Sequence, residues 1–141
     1  MKFNIRVYGI LIFNNNVLVT KEKRFGKSFA KFPGGGLEFG EGTKDCLIRE
    51  FMEEMNLKVN IGQLLYVNDF FQPSAFDQEQ QIISFYYRVD PCVDNFNPND
   101  LEVKSELDNL IWIPLEEIKE EDLTFPIDKV VVEQILKKLT C

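Results

Sequence analysis

The sequence predicts an α/β fold built around a mixed β-sheet, and three observations carry that expectation. Runs rich in Val, Ile, Tyr and Phe recur at Asn4–Phe13, Val17–Thr20, Gln80–Val89 and Asn109–Ile113, most of them bounded by Asn or Pro. Two other stretches, one after Thr43 and one across Ile127–Leu139, carry apolar residues at helical spacing. Thirteen Phe in a chain of 141 residues that is 45% hydrophobic supply a core on which helices can pack against a sheet. No internal repeat or long linker divides the chain, so residues 1–141 are expected to form one domain.

Taken in order, Asn4–Phe13 reads as a strand. Asn14-Asn15-Asn16 reads as a turn, because Asn tolerates the left-handed backbone region, and Val17–Thr20 as the partner strand of a hairpin. Lys21–Lys27 reads as a basic loop. Phe29–Phe32 reads as a short strand, ended by Pro33 and the glycines Gly34, Gly35 and Gly36. Thr43 is the expected N-cap of a helix, with Asp45 in the first turn, where negative charge suits the helix dipole. Ile48, Phe51, Met52 and Met55 are its expected buried face, and Asn56 its left-handed stop.

Leu57–Phe71 reads as one long strand or two short ones, and Gln72–Asp77 as a loop. Gln80–Val89 follows as a strand, and Asp90–Asn99, with its prolines and asparagines, as an exposed connection. Asn109–Ile113 reads as a strand closed by Pro114, and Leu115–Ile118 as a short helix. Ile127–Leu139 reads as a terminal helix with Val130, Val131, Ile135 and Leu136 on one face. Alternation assigns Phe70, Phe71, Phe85, Tyr86 and Tyr87 mostly to the core.

The charge balance narrows the function. A net charge of −7 and a pI of about 4.7 argue against binding a nucleic-acid polymer, which calls for a basic stripe. They leave open a nucleotide-sized substrate whose phosphates meet a metal. There is no histidine, which removes the commonest general base and zinc ligand. Cys46, Cys92 and Cys141 lack metal-type spacing and read as reduced thiols of a cytoplasmic protein. Tyr8–Phe13 is far too short an apolar run to span a bilayer, and no secretory cleavage pattern follows it.

The most informative stretch is Gly34–Leu57, GGGLEFGEGTKDCLIREFMEEMNL. Glu50, Glu53 and Glu54 fan over roughly 100° of one helix face. Carboxylates three and four positions apart repel one another, so the face is either plain solvated surface or the seat of a cation. The surrounding spacings decide between the two. Gly35 is followed after five residues by Glu41, then after seven more by Arg49-Glu50, Phe51, Glu53-Glu54 and Asn56-Leu57. This resembles the Nudix box, G-x5-E-x7-R-E-U-x-E-E-x-G-U with U apolar. Every fixed position matches except the late glycine, replaced by Asn56, the second choice for a left-handed helix end. The leading hairpin, the Pro-Gly-Gly entry and Ile111–Ile118 (IWIPLEEI) resemble the family's layout as well.

The resemblance implies a Nudix-type α/β/α sandwich and a hydrolase. In that family, water attacks a phosphorus of a nucleoside diphosphate linked to another moiety, with Mg²⁺ or Mn²⁺ bound. It implies metal ligands from Glu50, Glu53, Glu54, the Gly35 carbonyl and one glutamate outside the box. Glu106 sits where the MutT-type subgroup places that glutamate, and Glu79 is its competitor. It gives Arg49 a positioning role toward a box glutamate and Glu41 a supporting one. Hard divalent cations do prefer oxygen ligands that also leave room for phosphate. For the substrate, Gly34, Gly35 and Gly36 allow close backbone approach. Arg24, with Lys21 and Lys23, is placed to meet phosphate or ribose, and Phe76 to stack a base. Nucleotide sugars, ADP-ribose and intact or oxidised nucleoside triphosphates are all within the class, and relatives are often homodimers. A competing expectation is a catalytically weak ligand-sensing module. Retention of every box glutamate favours the enzyme. A calcium-loop protein is excluded, since no Asp-rich twelve-residue loop is present.

Overall fold

Strand β1 (Lys2–Phe13) runs through the middle of a seven-stranded mixed sheet in the computed structural model, which describes residues 1–103 and 107–140. The chain reverses through Asn14 and Asn15, both left-handed at φ 51° and 60°, into β2 (Asn16–Arg24). Two successive left-handed residues give the turn twist that a tight hairpin needs. β2 then pairs with β3 (Lys27–Lys31) from Thr20↔Lys31 to Arg24↔Lys27. The expected basic loop is therefore strand for most of its length. Only Phe25 and Gly26, both at positive φ, form the turn.

The glycine cluster is also a strand. β4 (Gly34–Gly36) lies antiparallel to β1, with Arg6 opposite Gly36 and Tyr8 opposite Gly34. A Cβ at Gly34 would stand 2.1 Å from the Val7 carbonyl oxygen, and its φ of 145° is open only to glycine. β5 (Val59–Val67) and β6 (Gln80–Pro91) pair antiparallel. β6 also runs parallel to β1, from Lys2↔Gln80 to Leu11↔Val89. β7 (Leu107–Pro114) pairs with β2, and the sheet order is β3-β2-β1-β6-β5 with β4 on β1 and β7 on β2.

Alternation along the strands divides the core between two helices. Val7 and Leu11 of β1 join Leu18, Tyr87 and Val89 beneath α1 (Thr43–Met55), which contributes Leu47, Phe51 and Met55. Tyr8 and Ile10 face the other way, with Val17, Val19, Phe32 and Tyr86. That face is covered by α2 (Pro126–Gln134) through Ile127, Val131 and Val132. Gly9 makes room for α1, since a Cβ there would lie 2.6 Å from the Phe51 ring. One helix on each face of a mixed sheet is the α/β/α sandwich expected from the sequence.

Several local readings are corrected. The inner stripe of α1 is Leu47, Phe51 and Met55 with Cys46, while Ile48 and Met52 are 39% and 42% exposed. An i, i+4, i+8 row turns away from the neighbouring i+1 positions. Gly42, not Thr43, is the N-cap, and its N–H donates to the Asp45 carboxylate at 3.0 Å. The Thr43 hydroxyl is instead 2.7 Å from that of Tyr87. Phe70 and Phe71 are exposed, lying beyond the end of β5 at Val67, where strand alternation no longer applies. Leu115–Ile118 is a turn. α2 stops at Gln134 and gives way to a 3-10 turn at Leu136–Thr140, so its inner face is Ile127, Val131, Val132 and then Leu136. Asn56 ends α1 in the left-handed conformation, as expected. No helix among the described residues is long and apolar enough to cross a membrane.

Candidate active site

Two adjoining cavities share a wall of Arg6, Glu22, Arg24 and Lys31. The smaller, about 210 Å³, is walled by Gly34–Gly36, by Glu50, Glu53 and Glu54 of α1, and by Arg6, Glu22, Arg24, Lys31 and Leu107. It exists because β4, all glycine, sends no side chain toward α1, leaving room for the α1 carboxylates. A Cβ on Gly35 would lie 2.5 Å from Glu50 Oε1.

Arg49 organises the acidic residues. Its Nη2 donates to Glu41 Oε1 at 2.6 Å and its Nε to Glu41 Oε2 at 3.1 Å, a two-point pairing. Nη1 donates to Glu50 Oε1 at 2.9 Å and to Glu53 Oε2 at 3.3 Å. Nη2 also reaches the Gly36 carbonyl at 3.1 Å, fastening the helix to β4. The hydrogen bonds from Arg49 hold the Glu41 carboxyl down to about 2, well below its ordinary range. The same bonds raise the Arg49 pKa above its already high value. Neither Glu41 nor Arg49 lines the cavity; they stand behind the residues that do.

Glu54 is different in kind. It is 7% exposed, its Oε1 accepts from the Gly34 N–H at 3.3 Å, and Lys31 Nζ lies 4.0 Å away. Its Oε2 is buried with no hydrogen-bond partner among the described residues. Burial, offset in part by Lys31 and reinforced by Glu50, pushes its carboxyl up to about 7. A buried carboxyl oxygen with nothing to bond is costly unless a ligand completes it.

The larger cavity, about 370 Å³, shares Arg6, Glu22, Arg24 and Lys31 with the first. Its floor is Asp128 of α2 beside Tyr86 of β6, and Tyr86 donates its hydroxyl to Asp128 Oδ1. Asp128 is 2% exposed and its Oδ2 is unpartnered among the described residues. Burial pushes its carboxyl up to about 6, against the lowering influence of Tyr86 and Lys31. The outer wall is Phe76 and Phe125. Phe76 meets Phe29 and Phe125 edge-on at 5.5 and 6.0 Å between centroids. The Arg24 guanidinium lies 4.3 Å over the Phe76 ring. Phe76 thus packs on four side chains, Phe25, Phe29, Phe125 and Arg24, and remains 43% exposed at the cavity wall.

Glu50, Glu53, Glu54, Gly34, Gly35, Gly36 and Arg24 all meet at the smaller cavity, and Phe76 and Arg24 at the larger. Glu79 is exposed and lines neither, and Glu106 lies outside the described residues. Arg6, Glu22, Lys31 and Asp128 are among the cavity residues that escape the sequence reading. Asp128 leaves a trace, an acid amid the apolar run of a helix. Lys31 sits directly before Phe32-Pro33-Gly34, but only folding turns it inward. Glu22 is aimed by a break in the β2–β7 register between Lys21 and Glu22, which no residue pattern announces.

Residues 3–134 match the model of the NUDIX domain. The chain belongs to the NUDIX family. Over 100 residues it is 30% identical to the nucleoside triphosphatase NudI of Klebsiella pneumoniae, covering 65% of this chain and 70% of that protein. Over 57 residues it is 44% identical to the RNA pyrophosphohydrolase of Psychromonas ingrahamii, covering 40% of this chain and 32% of that one. The matched stretch thus spans about a third of the RNA pyrophosphohydrolases it resembles. The solution structure of the E. coli ORF135 protein superposes with a TM-score of 0.76 at 21% identity, covering 97% of this chain and 91% of that one. The MutT protein of Methanosarcina mazei superposes at 0.74 with 17% identity, covering 99% and 96%. At these identities the two structures speak for the fold alone.

Proposed function

We propose that the chain is a divalent-metal-dependent pyrophosphohydrolase acting on a nucleoside diphosphate linked to another moiety. The observation that carries this reading is the buried, unpartnered Glu54 oxygen on the same cavity wall as Glu50 and Glu53, next to a second cavity large enough for a nucleoside.

The donors fit Mg²⁺. Among the described residues no three carboxyl or thiol groups converge closely enough to enclose an ion. The acidic wall is therefore open rather than a closed cage. Mg²⁺ suits such a wall, since it is usually bound through one or two carboxylates and takes its other ligands from phosphate and water. Glu50, Glu53, Glu54 and the Gly35 carbonyl are the groups that would hold it, with Mn²⁺ as a substitute. Once bound, such an ion neutralises the diphosphate and lowers the pKa of the attacking water.

The chain's own residues do the positioning. Arg49 fixes Glu50 and Glu53, and Glu41 fixes Arg49. Lys31 counters the charge on Glu54. The side-chain-free β4 lets phosphate oxygens come against backbone. Water adds to phosphorus, the bridging P–O bond breaks, and the proton leaves through the carboxylate wall. Asp128 offers an acceptor, or a donor when protonated, to the base in the larger cavity. Within the class, nucleoside triphosphates, nucleotide sugars and ADP-ribose remain the substrates to compare, and the compartment is read as cytoplasmic.

The test is a panel of nucleoside triphosphates, nucleotide sugars and ADP-ribose with Mg²⁺, with the products identified. Release of a nucleoside monophosphate is expected from at least one. E53Q and E54Q are expected to lower turnover by about 100-fold or more while circular dichroism stays unchanged. Full activity in both variants would overturn the assignment.

A further inference from the structure

We infer that Arg6 forms a metal-independent subsite for the phosphate nearest the nucleoside, on the wall between the two cavities. The inference rests on the nucleotide reading above and adds to it the direction in which the substrate lies.

Arg6 belongs to β1, opposite Gly36 in register, and lines both cavities. Its Nε donates to the Tyr8 hydroxyl at 3.0 Å, which fixes the plane of the guanidinium. Its Nη1 and Nη2 make no hydrogen bond among the described residues, and neither is sealed from solvent. Nor does any described carboxylate come within ion-pair distance of it, although Glu50 acts on it electrostatically. A half-buried cation in a chain of net charge −7 thus stands without an ion-pair partner among the described residues. The space above it is kept by Gly36, whose Cβ would sit 3.4 Å from Nη1.

A guanidinium anchored at Nε presents its other edge as a fork of parallel N–H donors. That fork matches two oxygens of a phosphate, which an ammonium does not. The position gives the phosphate its identity. A base over Asp128 and a diphosphate at Glu50, Glu53 and Glu54 must be joined across the wall that Arg6 occupies. The group crossing there is the 5′-phosphate. A nucleoside monophosphate, which lacks the part held by metal, is then a ligand in its own right.

Binding is measured by calorimetry in EDTA with the common ribo- and deoxyribonucleoside 5′-monophosphates, the matching nucleosides and inorganic phosphate. At least one monophosphate is expected to bind, with its nucleoside and free phosphate each at least about tenfold weaker. R6M is expected to weaken that monophosphate about 10- to 100-fold, down to the level of its nucleoside, without changing nucleoside binding. R6K keeps the charge but not the fork, and is expected to recover only part. E53Q, tested for monophosphate binding alone, is expected to bind it no more weakly than the native chain. Equal monophosphate affinity in R6M and the native chain overturns the subsite. So does equal affinity for nucleoside and monophosphate, or the absence of any monophosphate binding. Failure of the hydrolysis panel with monophosphate binding intact would instead remove the catalytic reading and leave the subsite standing.

Discussion

Asp128 sits where a charged side chain is least at home, on the inner face of α2 among Ile127, Val131 and Val132. Tyr86 donates to one oxygen, and the other is buried and unpartnered among the described residues. Its carboxyl, raised from 3.8 to about 6, makes a signed prediction. The folded chain holds this proton more tightly than the unfolded chain does. Ionising it therefore costs stability, beginning as pH rises past 4 and complete above 6, at most about 3 kcal/mol. D128N keeps an acceptor for Tyr86 and removes the charge. Thermal unfolding of D128N is expected at higher temperature than the native chain at pH 8, with the two converging near pH 4. Equal midpoints at pH 8 would show that the carboxylate is better solvated than its burial implies. The acid itself could be read from the sequence. Its partner Tyr86 lies 42 positions earlier on another element, and only the fold brings the two together.

At the scale of an element, β4 shows how far spacing can be trusted. The order of Gly35, Glu41, Arg49 and the glutamates was legible through its resemblance to the Nudix box, and helix geometry fixes directions only for Arg49 and the three glutamates on α1. The glycines were not legible as a strand, since their pairing partner is β1, almost thirty residues away. That pairing separates two substitutions that look alike on paper. A Cβ at Gly34 would strike the Val7 backbone, which cannot move aside, so G34A is expected to destabilise the chain by about 3 kcal/mol. A Cβ at Gly35 would strike only the end of the flexible Glu50 side chain. G35A is therefore expected to keep its unfolding temperature within about 1 kcal/mol of stability while losing turnover about tenfold or more. Comparable losses of stability in both variants would contradict this division of labour. The inner face of α1 was misjudged for a related reason. Ile48 and Met52 are apolar at acceptable spacing, and only the direction of the sheet shows that Leu47 and Cys46 face it instead.

At the scale of the whole molecule, three carboxyl groups among the described residues have clearly shifted titration and shape the response to pH. Glu54 and Asp128 are raised to about 7 and 6, mainly by burial, so both subtract stability as pH climbs from about 4 to above 7. Glu41, lowered to about 2 by Arg49, adds stability above its ordinary pKa and loses it only in strong acid. A divalent cation at Glu54 competes with the proton there. Mg²⁺ is accordingly expected to raise the unfolding temperature clearly at pH 8 and little at pH 5, with EDTA reversing the gain. A shift of the same size at both pH values would place the ion elsewhere. The mixed α/β class was legible from the alternation of strand runs and helical runs. The cavities were not, because each is walled by residues from strands that meet only across the sheet.

The parallel ladder between β1 and β6 joins residues roughly eighty positions apart, from Lys2↔Gln80 to Leu11↔Val89. During synthesis the first strand must therefore wait, apolar and incompletely paired, until well over half of the chain has left the ribosome. Contacts of that range close slowly, and an unpartnered strand edge is an invitation to self-association. Expression at low temperature or with chaperones should reward this chain more than its modest size suggests.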